Sequence, residues 1–178
     1  IPLVNDLLAR AGNNLSNFAI VRVTPTLDTN AYAQGDVLFV ATAIPNAVIG
    51  SKGCSKLIAA YCLSQVHGNA DDLDVYFTEG STALGTINAT ANIADGDIEA
   101  IGLCGLMKVD ADVGVTSLLD TSKVNQLINL NGALASQPIL LQAASGSTSV
   151  YFQAVITSAT TPTYAADDLD FIFHIEHR

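Results

Sequence analysis

Apolar and polar residues alternate along most of the chain, which predicts β-strands. The segment "FAIVRV" places Phe18, Ile20 and Arg22 on one face and Val21 and Val23 on the other. Neighbouring side chains of a strand point to opposite sides of a sheet, so this period of two favours a strand over a helix. Further strands are predicted by the same kind of pattern at residues 37–43, 54–66, 73–78, 98–109, 138–143, 149–158 and 169–177.

For two of these strands the sequence predicts further details, namely the two faces of one strand and a bulge or close contact in the other. In residues 54–66, strict alternation predicts two faces, one with Leu57, Ala59, Tyr61 and Leu63 and the other with Ile58, Ala60, Cys62 and Ser64. In residues 98–109, Gly102 and Gly105 interrupt the apolar run and predict a bulge or a close approach of another part of the chain.

Residues 1–12 differ from the rest, because Leu3, Leu7, Leu8 and Ala11 recur at helical spacing. We predict a short amphipathic helix or arm, which is too short to be stable alone and must dock on another surface. Leu3, Leu7 and Leu8 are therefore the candidate subunit-contact residues. A long polar loop is predicted at residues 79–97, with one helical turn near 93–98. The weak pattern of residues 110–132 fits either a short helix or a loop that ends in a strand.

Seven to nine strands with no regular alternation of strands and helices predict an all-β sandwich, and a jelly roll is the favoured form. A chain of 178 residues fits one domain, which buries roughly 70% of the surface of the unfolded chain. No linker divides the chain. We therefore expect an N-terminal arm or short helix at residues 1–17 and a single β-sandwich domain at residues 18–178.

Composition narrows the classes of function. Apolar residues make up 49% of the chain and charged residues 13%, which excludes intrinsic disorder. The formal charge is −10 and the few basic residues are scattered, so neither a nucleic-acid partner nor a membrane-surface partner is expected. No apolar run approaches the roughly 20 residues that span a bilayer, and the first residues do not have the pattern of a signal peptide.

One short phrase occurs twice, as "ADDLDVYF" at residues 70–77 and "ADDLDFIF" at residues 166–173. The first interpretation is a calcium site built from Asp71, Asp72 and Asp74 together with Asp167, Asp168 and Asp170, since calcium binds several carboxylate oxygens. The second is structural: an Asp-Asp turn starts a strand whose alternate residues enter the core. The second interpretation is favoured, and the metal site depends on whether the two copies meet in space.

Other candidate chemistry is sparse. Cys54, Cys62 and Cys104 form no CxxC pair and are interpreted as reduced, buried packing residues, with a Cys54–Cys62 disulfide left open. His67, His174 and His177 do not have the spacing of a zinc site. No nucleophile motif or phosphate loop is present, so we expect no catalytic residue, metal or cofactor.

Three longer phrases carry a resemblance to a known group of proteins. They are "NAYAQGDV" at residues 30–37, "SVYFQAV" at residues 149–155 and "LDFIFHIE" at residues 169–176. Together they resemble small virion proteins of tailed bacteriophages, which carry a Thr/Ala-Tyr-Ala-x-Gly-Asp-Val phrase near the start and a last strand that ends in Ile-Glu. The likeness covers residues 18–176.

The resemblance implies a non-enzymatic structural protein of the virion, of the capsid decoration or cement type. Its partners would be the major capsid protein and further copies of itself in a homotrimer, and its location the capsid surface. Two alternatives stay open from the sequence: a carbohydrate- or receptor-binding module of a tail or fibre, and, more weakly, a hydrolase built on a pair of acids.

Overall fold

The computed structural model describes residues 17–65, 71–112, 115–116, 122–129 and 138–177, and they form an all-β sandwich. The long strands fall where alternation predicts them, and residues 110–132 contribute three short strands. The strands in chain order are β1 Phe18–Val23, β2 Val37–Ile44, β3 Cys54–Ser64, β4 Leu73–Thr78, β5 Leu103–Val109, β6 Val115–Thr116, β7 Lys123–Gln126, β8 Ile128–Asn129, β9 Ile139–Gln142, β10 Val150–Ile156 and β11 Leu169–His177.

The strands form two antiparallel sheets. Sheet 1 has the order β1-β11-β3-β7-β6, and β9 also pairs with β3. Sheet 2 has the order β2-β10-β4-β5-β8. The predicted helix or arm at residues 1–12, with Leu3, Leu7 and Leu8, lies outside the described residues.

The order of the strands is that of a jelly roll, as predicted. β9 pairs with the first half of β3 and β7 with its second half, so the two short strands share one position in sheet 1. We number eight main strands in chain order as β1, β2, β3, β4, β5, the shared position of β7 and β9, β10 and β11, and leave out the two-residue strands β6 and β8. In these numbers the strand order is 1-8-3-6 in sheet 1 and 2-7-4-5 in sheet 2. Two interlocked Greek keys of eight strands have this arrangement.

The two sheets enclose an aromatic core. Phe152 of sheet 2 lies 5.1 Å from Phe171 and 4.9 Å from Phe173 of sheet 1, measured between ring centroids. Phe39 lies 5.1 Å from Phe152 and 5.5 Å from Phe171. The rings meet edge to face, an arrangement that contributes about 0.5–1.5 kcal/mol per pair beyond the burial of apolar area.

A bulge in β3 corrects the predicted faces of that strand. The pairing of β3 with β11 shifts register between His174 and Ile175, which places one extra residue in β3 near Ile58. Leu57 is consequently buried on the same side as Ala60, whereas Ile58 is exposed. Strict alternation was therefore wrong for Leu57 and Ile58, because a bulge changes the phase of the pattern.

The two glycines near β5 have the predicted roles. Gly102 precedes the strand with a φ of +61°, and its carbonyl accepts a hydrogen bond of 2.9 Å from the amide of Glu79. A Cβ on Gly105 would lie 2.8 Å from the Ile139 side chain, so this glycine permits the close approach of β9 to β5.

The outer side of sheet 2 is covered by residues 79–102, called here the covering loop. The loop contains the helix α1, Asp95–Ile98, at the position where the sequence predicts a helical turn. Its apolar residues Leu84 and Ile101 pack with Val37 and Val155 of sheet 2 to form a second, smaller hydrophobic cluster. In the part of the chain that the structure describes, no helix is long and apolar enough to cross a membrane.

Candidate interaction face and pocket

The outer side of sheet 1, called here the outer face, carries apolar side chains where a solvated sheet would carry polar ones. Residues directly opposite each other in paired strands share a face. Ile20 of β1 lies opposite His174 of β11, and Tyr61 of β3 lies opposite Ile172 of β11, so all four side chains are on this side. The most exposed apolar side chains of the face, with their exposed fractions, are Phe18 62%, Ile20 65%, Ile58 42% and Leu140 60%.

Polar groups divide the apolar positions of the outer face. Lys56 of β3 forms an ion pair with Glu176 of β11, with 3.3 Å between Nζ and Oε2. The His174 ring lies 5.3 Å from the Tyr61 ring, and the Thr24 hydroxyl donates a hydrogen bond to Asp170. The face therefore combines apolar anchors with polar groups of both signs, a composition that suits contact with another protein.

The candidate contact residues Leu3, Leu7 and Leu8 cannot be compared with this face, since all three lie outside the described residues. The sequence pattern did place Phe18, Ile20 and Arg22 together on one side of β1, and the structure confirms this grouping. It did not identify that side as the outer one. The available signal was that the large apolar residues Phe18 and Ile20 lie on the side of β1 opposite to Val21 and Val23, which pack against the core.

The two copies of the repeated phrase start strands at the same end of the sandwich, β4 in sheet 2 and β11 in sheet 1. Leu73 and Leu169 together line a small cavity of about 10 Å³ there, beside Asp71 and Tyr164. As predicted, alternate apolar residues of both phrases enter the core: Leu73, Val75, Phe77, Leu169, Phe171 and Phe173 are buried, as is Ile175 just after the second phrase.

The aspartates of the first copy have separate partners. Asp71 is buried and accepts hydrogen bonds from the hydroxyls of Thr160 and Tyr164, the latter at 3.0 Å. Asp72 accepts a hydrogen bond of 2.8 Å from the amide of Ala111. Asp74 forms an ion pair of 3.2 Å with Lys108.

In the second copy, Asp168 is the buried residue, and its carboxylate accepts a hydrogen bond from the amide of Ala165 within a tight turn. The same turn occurs before β2, where Asp36 accepts a hydrogen bond of 2.7 Å from the amide of Ala33. Identical letters thus have different contacts in the two copies. Within the described residues, no group of three or more His, Cys, Asp or Glu side chains lies close enough together to hold a metal ion.

All three cysteines are free thiols, as predicted. The prediction that they are buried is confirmed only in part. Cys54 is exposed, Cys104 is partly buried and Cys62 is buried. Cys54 and Cys62 lie eight residues apart along β3, or about 26 Å at the rise of a strand, which is far beyond the reach of a disulfide. Burial, and to a lesser extent the charge of Asp170, raises the pKa of the Cys62 thiol to about 12.

A pocket of about 320 Å³ lies between the outer side of sheet 2 and the covering loop. Tyr76 and Val155 of the sheet form part of its wall, and the loop contributes the apolar residues Leu84, Ile93 and Ile101. Burial raises the pKa of the Tyr76 hydroxyl, and the charge of Asp74 raises it further, so this group stays a neutral donor at ordinary pH. Sequence reasoning missed the pocket, because it forms only when a loop folds back over a sheet that is distant in sequence.

Gln153 of β10 lies beneath the covering loop, and its side chain is fully buried. Its side-chain oxygen accepts a hydrogen bond of 2.9 Å from the amide of Leu84, and its nitrogen donates one of 3.1 Å to the carbonyl of Thr82. The sheet thus holds the loop in one position.

Comparisons of the chain with protein-family models, with curated proteins and with solved structures find no match.

Proposed function

We propose that this chain is a non-enzymatic structural protein of a phage virion, which decorates the head by binding the lattice of the major capsid protein. The observation that carries the proposal is the outer face. Exposed apolar patches on a folded domain are typical of surfaces that contact other proteins. Here the exposed apolar side chains project from three strands of one sheet, which are β1 with Phe18 and Ile20, β3 with Ile58 and β9 with Leu140, so the contact surface has a rigid support.

The resemblance to virion proteins adds the kind of partner. Its three phrases fall at the turn before β2, on β10 and on β11, which are strands of the core. They therefore reflect the fold more than a binding surface. Jelly rolls occur in capsid proteins and in lectins alike, so the functional proposal depends on what the outer face binds.

Binding of the outer face to a lattice would use complementary packing and needs no reacting group. A stable protein interface buries about 800 Å² on each partner and combines an apolar centre with a polar rim. The outer face carries groups of both kinds, since Phe18 lies opposite Glu176 and Leu140 lies opposite Lys56 in the paired strands. Self-association into a trimer would use part of the same surface or the segment that contains Leu3, Leu7 and Leu8.

The test compares two isoleucines of equal exposure. Ile20 on the outer face is 65% exposed, and Ile49 in the turn between β2 and β3 is 64% exposed. Heads of the phage that encodes the chain, stripped of this protein, are mixed with the wild type, Ile20→Asp or Ile49→Asp. We expect the wild type and Ile49→Asp to co-sediment with the heads and to raise their melting temperature, and Ile20→Asp to do neither.

A cryo-electron microscopy map of the reconstituted particle would show the lattice position and the number of copies, and analytical ultracentrifugation would give the oligomeric state. Equal binding by Ile20→Asp and the wild type would remove the outer face from the proposal. A monomer with no affinity for heads would contradict the proposal as a whole. If that monomer gained thermal stability from glycans, the receptor-binding alternative would take its place.

A further inference from the structure

We propose that the pocket beneath the covering loop is a binding site for a small organic cation with an apolar body, such as an arylalkylamine. This inference does not rest on the proposed virion function, because the pocket lies on sheet 2 and the outer face lies on sheet 1. Its basis is the size of the pocket, the chemistry of its lining, the fixed position of its wall and the charge of the loop that forms it.

Size and lining favour an apolar body. The pocket of about 320 Å³ falls at the lower end of the range of ligand sites in proteins, and an engineered apolar cavity of about 150 Å³ already binds benzene. Leu84, Ile93, Ile101 and Val155 supply apolar surface, whereas Tyr76 and Asn92 supply hydrogen-bonding groups. A ligand with a phenyl-sized body and one polar group matches this lining.

The wall of the pocket is held by three hydrogen bonds, one across the base of the covering loop and two between the loop and the sheet. The amide of Glu79 bonds the carbonyl of Gly102 at 2.9 Å and closes the base of the loop. The amide of Asn88 bonds the carbonyl of Val37 at 2.8 Å, and Gln153 holds Leu84 at 2.9 Å. A cavity with a fixed wall binds without the entropic penalty of ordering a loop.

Charge selects the polar group of the ligand. The covering loop contains four carboxylate residues and no Lys, Arg or His; the four are Glu79, Asp95, Asp97 and Glu99. Asp97 and Glu99 are exposed, and in the sequence they lie between the lining residues Ile93 and Ile101. A cationic group at the mouth of the pocket would gain from this negative potential, and an anionic group would be repelled.

The experiment uses three probes with similar apolar bodies: 2-phenylethylamine, 2-phenylethanol and 3-phenylpropionate. Binding to the full chain is followed by the shifts of backbone amide NMR signals as each probe is added. We expect saturable shifts at Leu84 and Ile101, with the amine bound at least fivefold more tightly than the alcohol and the carboxylate bound most weakly. Added salt should reduce the advantage of the amine.

Two variants and a matched control locate the site. Ala91 lines the pocket, so Ala91→Phe fills it and is expected to weaken amine binding at least tenfold. Ala100 lies in the same loop with its side chain exposed, so Ala100→Phe should bind like the wild type. Leu103 lies at the mouth and is 51% exposed; Leu103→Lys should weaken the amine and strengthen the carboxylate.

Thermal unfolding of each variant checks that the fold is kept. If no probe gave saturable shifts in the wild type, or if Ala91→Phe and Ala100→Phe bound the amine equally, the pocket would not be a ligand site. If the carboxylate bound as tightly as the amine, the site would not select cations. None of these results bears on whether the outer face binds phage heads, so the two proposals fail separately.

Discussion

At the scale of single residues, the buried thiol of Cys62 links stability to alkaline pH. Burial raises its pKa from the ordinary 9.0 to about 12, so the folded state retains the proton more strongly than the unfolded chain. A folded-state pKa above the unfolded value contributes stability that is complete below the unfolded pKa and is lost as pH rises through the folded one. The loss therefore begins near pH 9 and continues toward pH 12.

We predict that the free energy of unfolding, measured by urea denaturation, falls with pH above about pH 9. Cys62→Ala should flatten the first part of this decline, up to about pH 10, where tyrosines begin to contribute. Tyr32 supports the later part, because burial raises its pKa to about 12. Cys54→Ala, which removes an exposed thiol, is the control and should keep the wild-type slope. An unchanged slope in Cys62→Ala would contradict the assignment.

The repeated phrase gives a second prediction at this scale, because Asp71 and Asp167 occupy the same letter position in the two copies. Asp71 is buried and accepts hydrogen bonds from Thr160 and Tyr164, whereas Asp167 is exposed. Removing a buried acceptor destabilises by about 1–3 kcal/mol, and exposed substitutions change stability by about 0.5 kcal/mol or less.

We therefore expect Asp71→Ala to lower the free energy of unfolding by about 1–3 kcal/mol and Asp167→Ala to leave it almost unchanged. Urea denaturation of the two variants side by side gives the comparison. Equal effects would mean that the copies have equivalent roles, in disagreement with their contacts. A calcium-dependent shift of the wild type that both substitutions abolish would bring back the metal interpretation.

At the scale of elements, the covering loop depends on Gln153. This side chain bonds the backbone of the loop at Leu84 and Thr82 from beneath. Gln153→Leu keeps the size of the side chain but removes both bonds, which we expect to cost about 1–3 kcal/mol and to increase hydrogen exchange in residues 79–102 more than in β10 and β11. The same change at the partly exposed Gln126 of β7 is the control.

Hydrogen exchange followed by mass spectrometry measures this effect segment by segment. Uniformly faster exchange across both sheets would show that the loop and the core unfold together, against the prediction. Unchanged exchange in the loop would show that its other bonds to the sheet, such as that of Asn88 to Val37, are sufficient to hold it.

These elements also show what the sequence could predict. Alternation depends on local geometry, so β1, β4, β10 and β11 and the inward side chains of the repeated phrase followed from it. The faces of β3 did not, because the bulge near Ile58 is set by pairing with β11, more than a hundred residues away. The pocket and the meeting of Asp71 with Tyr164 also require distant segments to come together, which no local pattern encodes.

At the scale of the whole molecule, the two sides of the sandwich differ. The outer side of sheet 2 is covered by a loop of the same chain, which buries Leu84 and Ile101 against it. On the outer side of sheet 1, Phe18, Ile20 and Leu140 are exposed in the structure as described. A domain that covers one sheet with its own chain and presents apolar side chains on the other is suited to binding a partner through the second sheet.

This asymmetry can be tested with one substitution at two sites. Leu141 is fully buried in the core, whereas its neighbour Leu140 is 60% exposed on the outer face. Leu141→Ala should lower the free energy of unfolding by about 2–5 kcal/mol through the cavity that it leaves. Leu140→Ala should change unfolding of the dilute chain by less than about 1 kcal/mol and should weaken self-association or head binding by at least fivefold, because the outer face acts between molecules.

Urea denaturation at low protein concentration measures the first effect, and sedimentation with increasing protein or with phage heads measures the second. If Leu140→Ala destabilised the dilute chain as strongly as Leu141→Ala, the Leu140 side chain would belong to the fold of the single molecule and the outer face would lose one of its anchors.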